Sequence, residues 1–208
     1  MRISFLVLGL AASFVASDFG KQIATAQVQD DLRPPNAFST ISDPVARSRA
    51  LFAEAAKVIT NPRCMNCHPV GDHPLQGDDQ HIHQPAALRG QADSGVPGMS
   101  CAACHTDRNF TLFPDEASYQ SIPGNPGWRL APAEMAWQGK SIGQICHQIK
   151  DPAQNGGRNL AMLQEHMARD DIVAWAWHPG EGRKPAPGTQ ELFGSIIQAW
   201  IDTGAECP

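Results

Sequence analysis

The stretches Cys64-Met65-Asn66-Cys67-His68 and Cys101-Ala102-Ala103-Cys104-His105 share the pattern Cys-x-x-Cys-His. This pattern is the attachment signature of c-type haem. Two thiols three positions apart fit one helical turn, and each can form a thioether to a haem vinyl group. The next residue then places its imidazole under the iron. The repeated pattern predicts two covalently attached haems, around which the rest of the chain folds.

A haem interpretation and a zinc interpretation compete for the same four cysteines. In the haem interpretation, Cys64, Cys67, Cys101 and Cys104 hold the cofactors, and His68 and His105 are the proximal iron ligands. The two cysteine pairs are farther apart than the pairs of zinc ribbons usually are, and zinc gives no reason for a histidine after both. The sequence therefore favours two haems over zinc or disulfides at these cysteines.

The N-terminus resembles a secretory signal over residues 1–26. Arg2 is followed by an apolar stretch, and Ala24-Thr25-Ala26 offers a small-x-small cleavage site. The apolar stretch is too short for a comfortable membrane span, although an uncleaved anchor is the alternative. No other segment is long and apolar enough to span a bilayer. We expect a mature periplasmic protein, because cytochrome families acquire covalent haem on the oxidising side of the membrane.

The composition is mildly acidic, with a formal net charge of -5 at pH 7. No basic patch stands out that would meet phosphates, so nucleic-acid binding is not expected. Redox partner proteins with a basic docking surface are expected instead, because opposite charge raises the association rate. The simpler alternative is that mild acidity only keeps the protein soluble.

One domain is expected over residues 43–208, after a linker over residues 27–42 in which Arg33-Pro34-Pro35-Asn36 excludes helix. Asp43 followed by a proline predicts the start of an amphipathic helix that ends before Asn61-Pro62.

The rest of the domain alternates between loops and helices. A terminal helix is expected over residues 192–201, ended by Gly204. Between residues 69 and 93 no period persists, and frequent Gly and Pro between residues 69 and 132 predict long ordered loops. Short helices should follow them, with N-caps at Ser141, at Asn159 and at Asp170 or Asp171.

The order of helix, motif and terminal helix resembles class I cytochrome c, in which the first and last helices cross beside the haem. That likeness covers residues 43–70 and 189–206. The whole chain is similar to small exported dihaem proteins found alongside, and sometimes named as, isoquinoline 1-oxidoreductase subunits. Besides both motifs, the residues that carry this likeness are Gly77-Asp78, Met99-Ser100, Ala131-Pro132, Met135-Ala136-Trp137, Asn155-Gly156-Gly157-Arg158 and Trp175-Ala176-Trp177.

These resemblances imply a mainly α, cytochrome c-like fold of short helices and long ordered loops packed around two covalent haems. Nothing in the chain resembles the molybdenum-binding or iron–sulfur parts of such an oxidoreductase. The resemblance thus implies that this chain is the electron carrier and that an oxidoreductase is its partner.

The sixth ligand of each iron decides whether the protein is an electron carrier or a haem enzyme or sensor. A strong sixth ligand makes a carrier, and an open sixth position permits binding or catalysis. His83 and His81 lie in a loop long enough to reach either haem. His166 lies on a short predicted helix, and Met135 is the thioether candidate. The alternative for each histidine is a position on the surface, which the sequence favours for His81. Methionine at helical spacing is more often part of the apolar core.

Cys146 and Cys207 remain, and two spare thiols in an oxidising compartment usually pair. The alternative is a third haem on a single thioether, because Cys146-His147 ends a motif whose first cysteine is missing.

The function expected from these features is periplasmic electron transfer by a dihaem c-type cytochrome between a dehydrogenase and a respiratory acceptor, with no catalytic residues. A small peroxidase-like haem enzyme or a haem-based sensor, each with one open iron, is the alternative.

Overall fold

The computed structural model describes residues 31–112 and 120–208. The predicted signal peptide, residues 1–26, lies outside the described residues, as do residues 113–119 of the loop after the second motif. The described ranges consist of α-helices and 3₁₀ helices joined by loops, with two small β-hairpins. The expected mainly α class is confirmed. None of the helices described is long and apolar enough to cross a membrane.

Helix α1 (Pro44–Ile59) and the last helix, α6 (Gln190–Asp202), pack against each other in the core. Phe52 of α1 meets Trp200 of α6 with ring centroids 5.0 Å apart. The buried Ser48 hydroxyl donates a hydrogen bond to the Trp200 carbonyl at 3.2 Å. The first and the last predicted helices are thus paired in the structure, which confirms both.

Side-chain caps begin the helices where the sequence predicts. The remaining α-helices are α2 (Pro62–Met65), α3 (Ile142–Lys150), α4 (Leu160–Arg169) and α5 (Asp171–Ala174). The predicted caps accept from backbone N–H groups: Asp43 from Val45 (3.1 Å), Ser141 from Gln144 (3.2 Å), Asn159 from Met162 (2.9 Å) and Asp170 from Ile172 (2.9 Å). Each cap satisfies an N–H that has no partner within its helix.

Helices α4 and α6 approach each other closely at Gly194. A Cβ atom at this position would lie 2.4 Å from the Cβ of Ala168, so any side chain would force the helices apart. This contact holds α4 against α6, and both helices contribute residues to the cavity described below.

Part of the predicted linker is packed structure. The expectation that its proline pair excludes helix is wrong, because Pro35–Phe38 forms a 3₁₀ helix. Proline fits the first helical position, where its missing N–H has no helical partner to lose. Leu32 and Phe38 are buried in the core. The buried carboxylate of Glu54 in α1 also accepts a 2.9 Å hydrogen bond from the Arg33 N–H.

The predicted loops contain two β-hairpins. Strand β1 (Leu75–Gln76) pairs antiparallel with β2 (His81–Ile82), and β3 (Gly95–Val96) pairs antiparallel with β4 (Met99–Ser100). Two-residue strands are too short to show an alternating pattern, which is why the sequence predicted only loops here. Strand β4 leads directly into the second Cys-x-x-Cys-His motif.

Cys146 of α3 and Cys207 form the predicted disulfide. The alternative of a third haem on Cys146 is therefore not supported, because its sulfur is already bonded. The bridge spans a sequence separation of 61 residues and ties α3 to the segment after α6.

Removing this bridge is expected to destabilise the protein. Loop-closure entropy for a loop of this length predicts a loss of about 4 kcal/mol in the free energy of unfolding. Urea unfolding of the Cys146→Ala/Cys207→Ala variant measures this loss. Cys207→Ala alone should lose nearly as much, because either change opens the loop. An unfolding midpoint equal to that of the unmodified protein would contradict the prediction.

Candidate functional site

The first motif lies on a helical turn directly after α1. Asn61 caps α2, and the turn continues through hydrogen bonds from Cys67 N to Cys64 O (3.1 Å) and from His68 N to Met65 O (3.0 Å). This winding brings both sulfur atoms and the imidazole to one cavity. The three side chains and this cavity are called the first site below.

The His68 ring is oriented by two neighbours. Its Nδ1 lies 2.7 Å from the Met135 carbonyl oxygen, which can only accept, so Nδ1 carries the proton and the Nε2 lone pair is free. Trp137 stacks on the ring with centroids 3.5 Å apart and planes 6° apart. Burial lowers the pKa of His68 to about 4. The ring is therefore neutral, which is the form that binds a metal.

The histidine of the second motif is oriented by the same kinds of neighbour, a carbonyl and a tryptophan. The two cysteines of this motif and His105 are called the second site. Cys101–Ala103 forms a 3₁₀ helix, and His105 N donates to Cys101 O at 2.9 Å. Nδ1 of His105 lies 2.7 Å from the Pro123 carbonyl oxygen, and Trp128 stacks on the ring at a centroid distance of 4.7 Å. Both motif histidines thus present a free Nε2.

The cavity of the first site has a volume of about 320 Å³. Its walls are apolar where α1, α4, α5 and α6 meet. Three arginines also line the cavity: Arg63, Arg129 and Arg158. The indole N–H of Trp137, another lining residue, is buried with no hydrogen-bond partner among the described residues. The apolar residues that these helices contribute are Ile59, Leu163, Met167, Ile172, Val173 and Phe193.

This combination of groups fits a haem. The apolar walls suit the haem macrocycle. The three arginines, together with the unpaired indole N–H of Trp137, suit the haem carboxylates. The two thiols and the free Nε2 of His68 supply the covalent and axial attachments that a c-type haem needs. Arg158 is held at the cavity by Asn155, which is fully buried and accepts from the Arg158 N–H at 2.7 Å.

His166 of α4 lines the same cavity as His68. Its Nδ1 lies 2.9 Å from Oδ2 of Asp170, which again leaves Nε2 free. Burial tends to raise the pKa of Asp170, but its hydrogen bonds to Ile172 N and His166, with the charge of Arg129, lower it overall. The carboxylate therefore stays ionised beside the imidazole.

Met135, the other candidate for this iron, is placed differently. Its carbonyl accepts from Nδ1 of His68, so its main chain lies behind that ring. A sixth ligand has to approach from the side that Nε2 faces. Met135 is buried and also lines the cavity. His166 is the stronger candidate for the sixth position, because it lines the same cavity and its Nδ1 contact to Asp170 leaves Nε2 free.

His83 lies beside the second site. Its ring centroid is 5.9 Å from that of His105, and its Nδ1 is 2.8 Å from the Pro85 carbonyl oxygen. Two imidazoles on opposite sides of one metal, each with a bond of about 2 Å, would have centroids roughly 6 Å apart. This spacing suits His83 as the second axial ligand. His81 is instead exposed and lies 2.6 Å from the Asp79 carboxylate.

Cys64 and Cys67 are protonated thiols in this environment, and the two sites adjoin. Burial raises the pKa of Cys64 to about 12 and that of Cys67 to about 11, and the nearby Cys101 adds to the second shift. In residues 31–112 and 120–208 there is no group of three or more His, Cys, Asp or Glu side chains placed to hold a bare metal ion.

Sequence reasoning missed the residues that support the two sites. Arg89 is buried and joins the loops through Asp93 (2.5 Å) and the Ala131 carbonyl. Arg63 is buried next to Cys64 and pairs with Asp78. No local pattern distinguishes such arginines from surface ones, because their partners are distant in sequence.

Comparison with models of known families, with curated proteins and with solved structures found no match for this chain.

Proposed function

We propose that this protein is a periplasmic dihaem c-type cytochrome that transfers single electrons between a dehydrogenase or other oxidoreductase and a respiratory acceptor. The observation that supports this most is the repeated site. Each Cys-x-x-Cys-His motif has its imidazole fixed through Nδ1 to a carbonyl and stacked on a tryptophan, with a second histidine beside it or lining the same cavity. Two strong axial ligands per iron suit a carrier.

The residues of the two sites have three roles: attaching the haems, orienting the iron ligands and excluding water. The four motif cysteines would hold the two haems, and His68 with His166 and His105 with His83 would hold the irons. The apolar walls exclude water from the first site, and the arginines offset the carboxylate charge. Each haem would supply one reversible one-electron change at its iron.

The surroundings of the two sites differ in access to partners. Cys104 is exposed, whereas Cys64 and Cys67 line a cavity between helices. The second site is therefore the one that a redox partner would reach more easily. A secretory signal over residues 1–26 and the acidic composition support a periplasmic carrier that meets partners with a basic docking surface.

Carbon monoxide tests this function on the unmodified protein. With both haems reduced and both irons bound by two histidines, no change in the absorption spectrum is expected at equilibrium with carbon monoxide. Myoglobin treated in the same way serves as the positive control. Rapid binding at one haem would instead support the enzyme or sensor alternative, because it shows an open iron.

A further inference from the structure

One of the four imidazoles at the two sites differs from the others in its hydrogen-bond partner. Three of them place Nδ1 against backbone carbonyls: His68 at Met135 (2.7 Å), His105 at Pro123 (2.7 Å) and His83 at Pro85 (2.8 Å). His166 alone in this set places Nδ1 against a carboxylate, that of Asp170 at 2.9 Å. The first site therefore combines one carbonyl-bound and one carboxylate-bound imidazole.

Asp170 is held in place independently of His166. Its Oδ1 accepts from Ile172 N at 2.9 Å and caps α5. Its main-chain carbonyl accepts from Gln190 Nε2 at 3.0 Å, which ties the turn to α6. The carboxylate is thus a fixed feature of the α4–α5 turn rather than a side chain that happens to meet a surface histidine.

A carboxylate partner changes the donor strength of an imidazole. It draws the Nδ1 proton toward itself and makes Nε2 the stronger ligand, as second-shell carboxylates do at metal-bound histidines. A stronger ligand favours the more highly charged ferric iron over the ferrous iron. Such an imidazole therefore lowers the reduction potential of its iron, relative to one bonded to a carbonyl.

We propose that Asp170 is a positioning residue that lowers the reduction potential of the first site alone, by polarising His166 as its sixth ligand. This inference rests on the proposed dihaem function. It means that the two sites, otherwise alike in how their proximal histidines are oriented, are tuned separately by one side chain that contacts His166 but does not line the first-site cavity.

The test is a spectroscopic redox titration of Asp170→Asn and Asp170→Ser. Asparagine and serine both retain the cap of α5, so the helix should persist while the negative charge is lost. We expect the potential of the first site to rise by about 59 mV, a tenfold change in its one-electron equilibrium, in at least one of the two variants. The reduction potential of the second site should not change. Titration of a variant that lacks the second motif, Cys101→Ser/Cys104→Ser, identifies which signal belongs to the first site.

Asp79→Asn is the matched control, since it removes the same charge from an exposed His–Asp pair at His81. Haem content is measured first by mass. Absent haem would refute the proposed function itself, whereas two haems with unshifted potentials in both Asp170 variants would overturn only this inference. Equal shifts at both sites, or an equal shift in Asp79→Asn, would also overturn it, because they indicate a general charge effect.

Discussion

Replacing His166 with alanine is expected to open the first iron to carbon monoxide. The unmodified ferrous protein should bind none, and His166→Ala should bind about one molecule per chain, because His68 is then the only one of the two imidazoles left at the first-site cavity. His83→Ala should open the second iron in the same way. The double variant should bind twice as much. Carbon monoxide titration followed by absorption spectroscopy measures all three.

Two control variants make this result specific. His81→Ala removes an exposed loop histidine that pairs with Asp79, so it should leave both irons closed. Met135→Leu keeps the buried volume while it removes the thioether. If Met135→Leu opens an iron and His166→Ala does not, methionine is the sixth ligand and the assignment of His166 is wrong.

Loss of one motif should remove one haem and leave the other. Cys101→Ser/Cys104→Ser is expected to carry only the first haem, and Cys64→Ser/Cys67→Ser only the second, because each pair supplies the thioethers of its own site. The second variant should also be the less stable of the two, since the first-site cavity lies between core helices. Intact mass and thermal unfolding of both variants measure these effects.

The disulfide cysteines provide the control for this experiment. Cys146→Ala/Cys207→Ala should keep both haems, because in the unmodified protein the sulfur atoms of these two cysteines are bonded to each other and not to a cofactor. Retention of two haems in either motif variant would contradict the assignment of those cysteines, and loss of a haem from the disulfide variant would revive the third-haem alternative.

The helices were predictable because their signals are local. Asp43, Ser141 and Asn159 each accept from a backbone N–H within three residues of themselves, so cap and helix are readable from one stretch of sequence. The apolar faces of α1 and α6 were equally clear. What the sequence did not show is that Leu32 and Phe38, in the predicted linker, add to the core.

The candidate sites were only half predictable for a physical reason. The motifs fix His68 and His105 by spacing, but a sixth ligand is chosen by tertiary contact. His83 lies near His105 because a hairpin returns the chain, and that hairpin has two-residue strands without a detectable pattern. Asp170 was recognisable as a helix cap, yet its second contact, to His166, depends on how α4 ends.

The mass of the mature protein, produced in a host that attaches haem to exported chains, tests the account most directly. We expect a denatured, intact mass that exceeds the polypeptide mass by two haem groups, because thioether bonds survive denaturation. A mass equal to that of the amino acids alone would contradict the account.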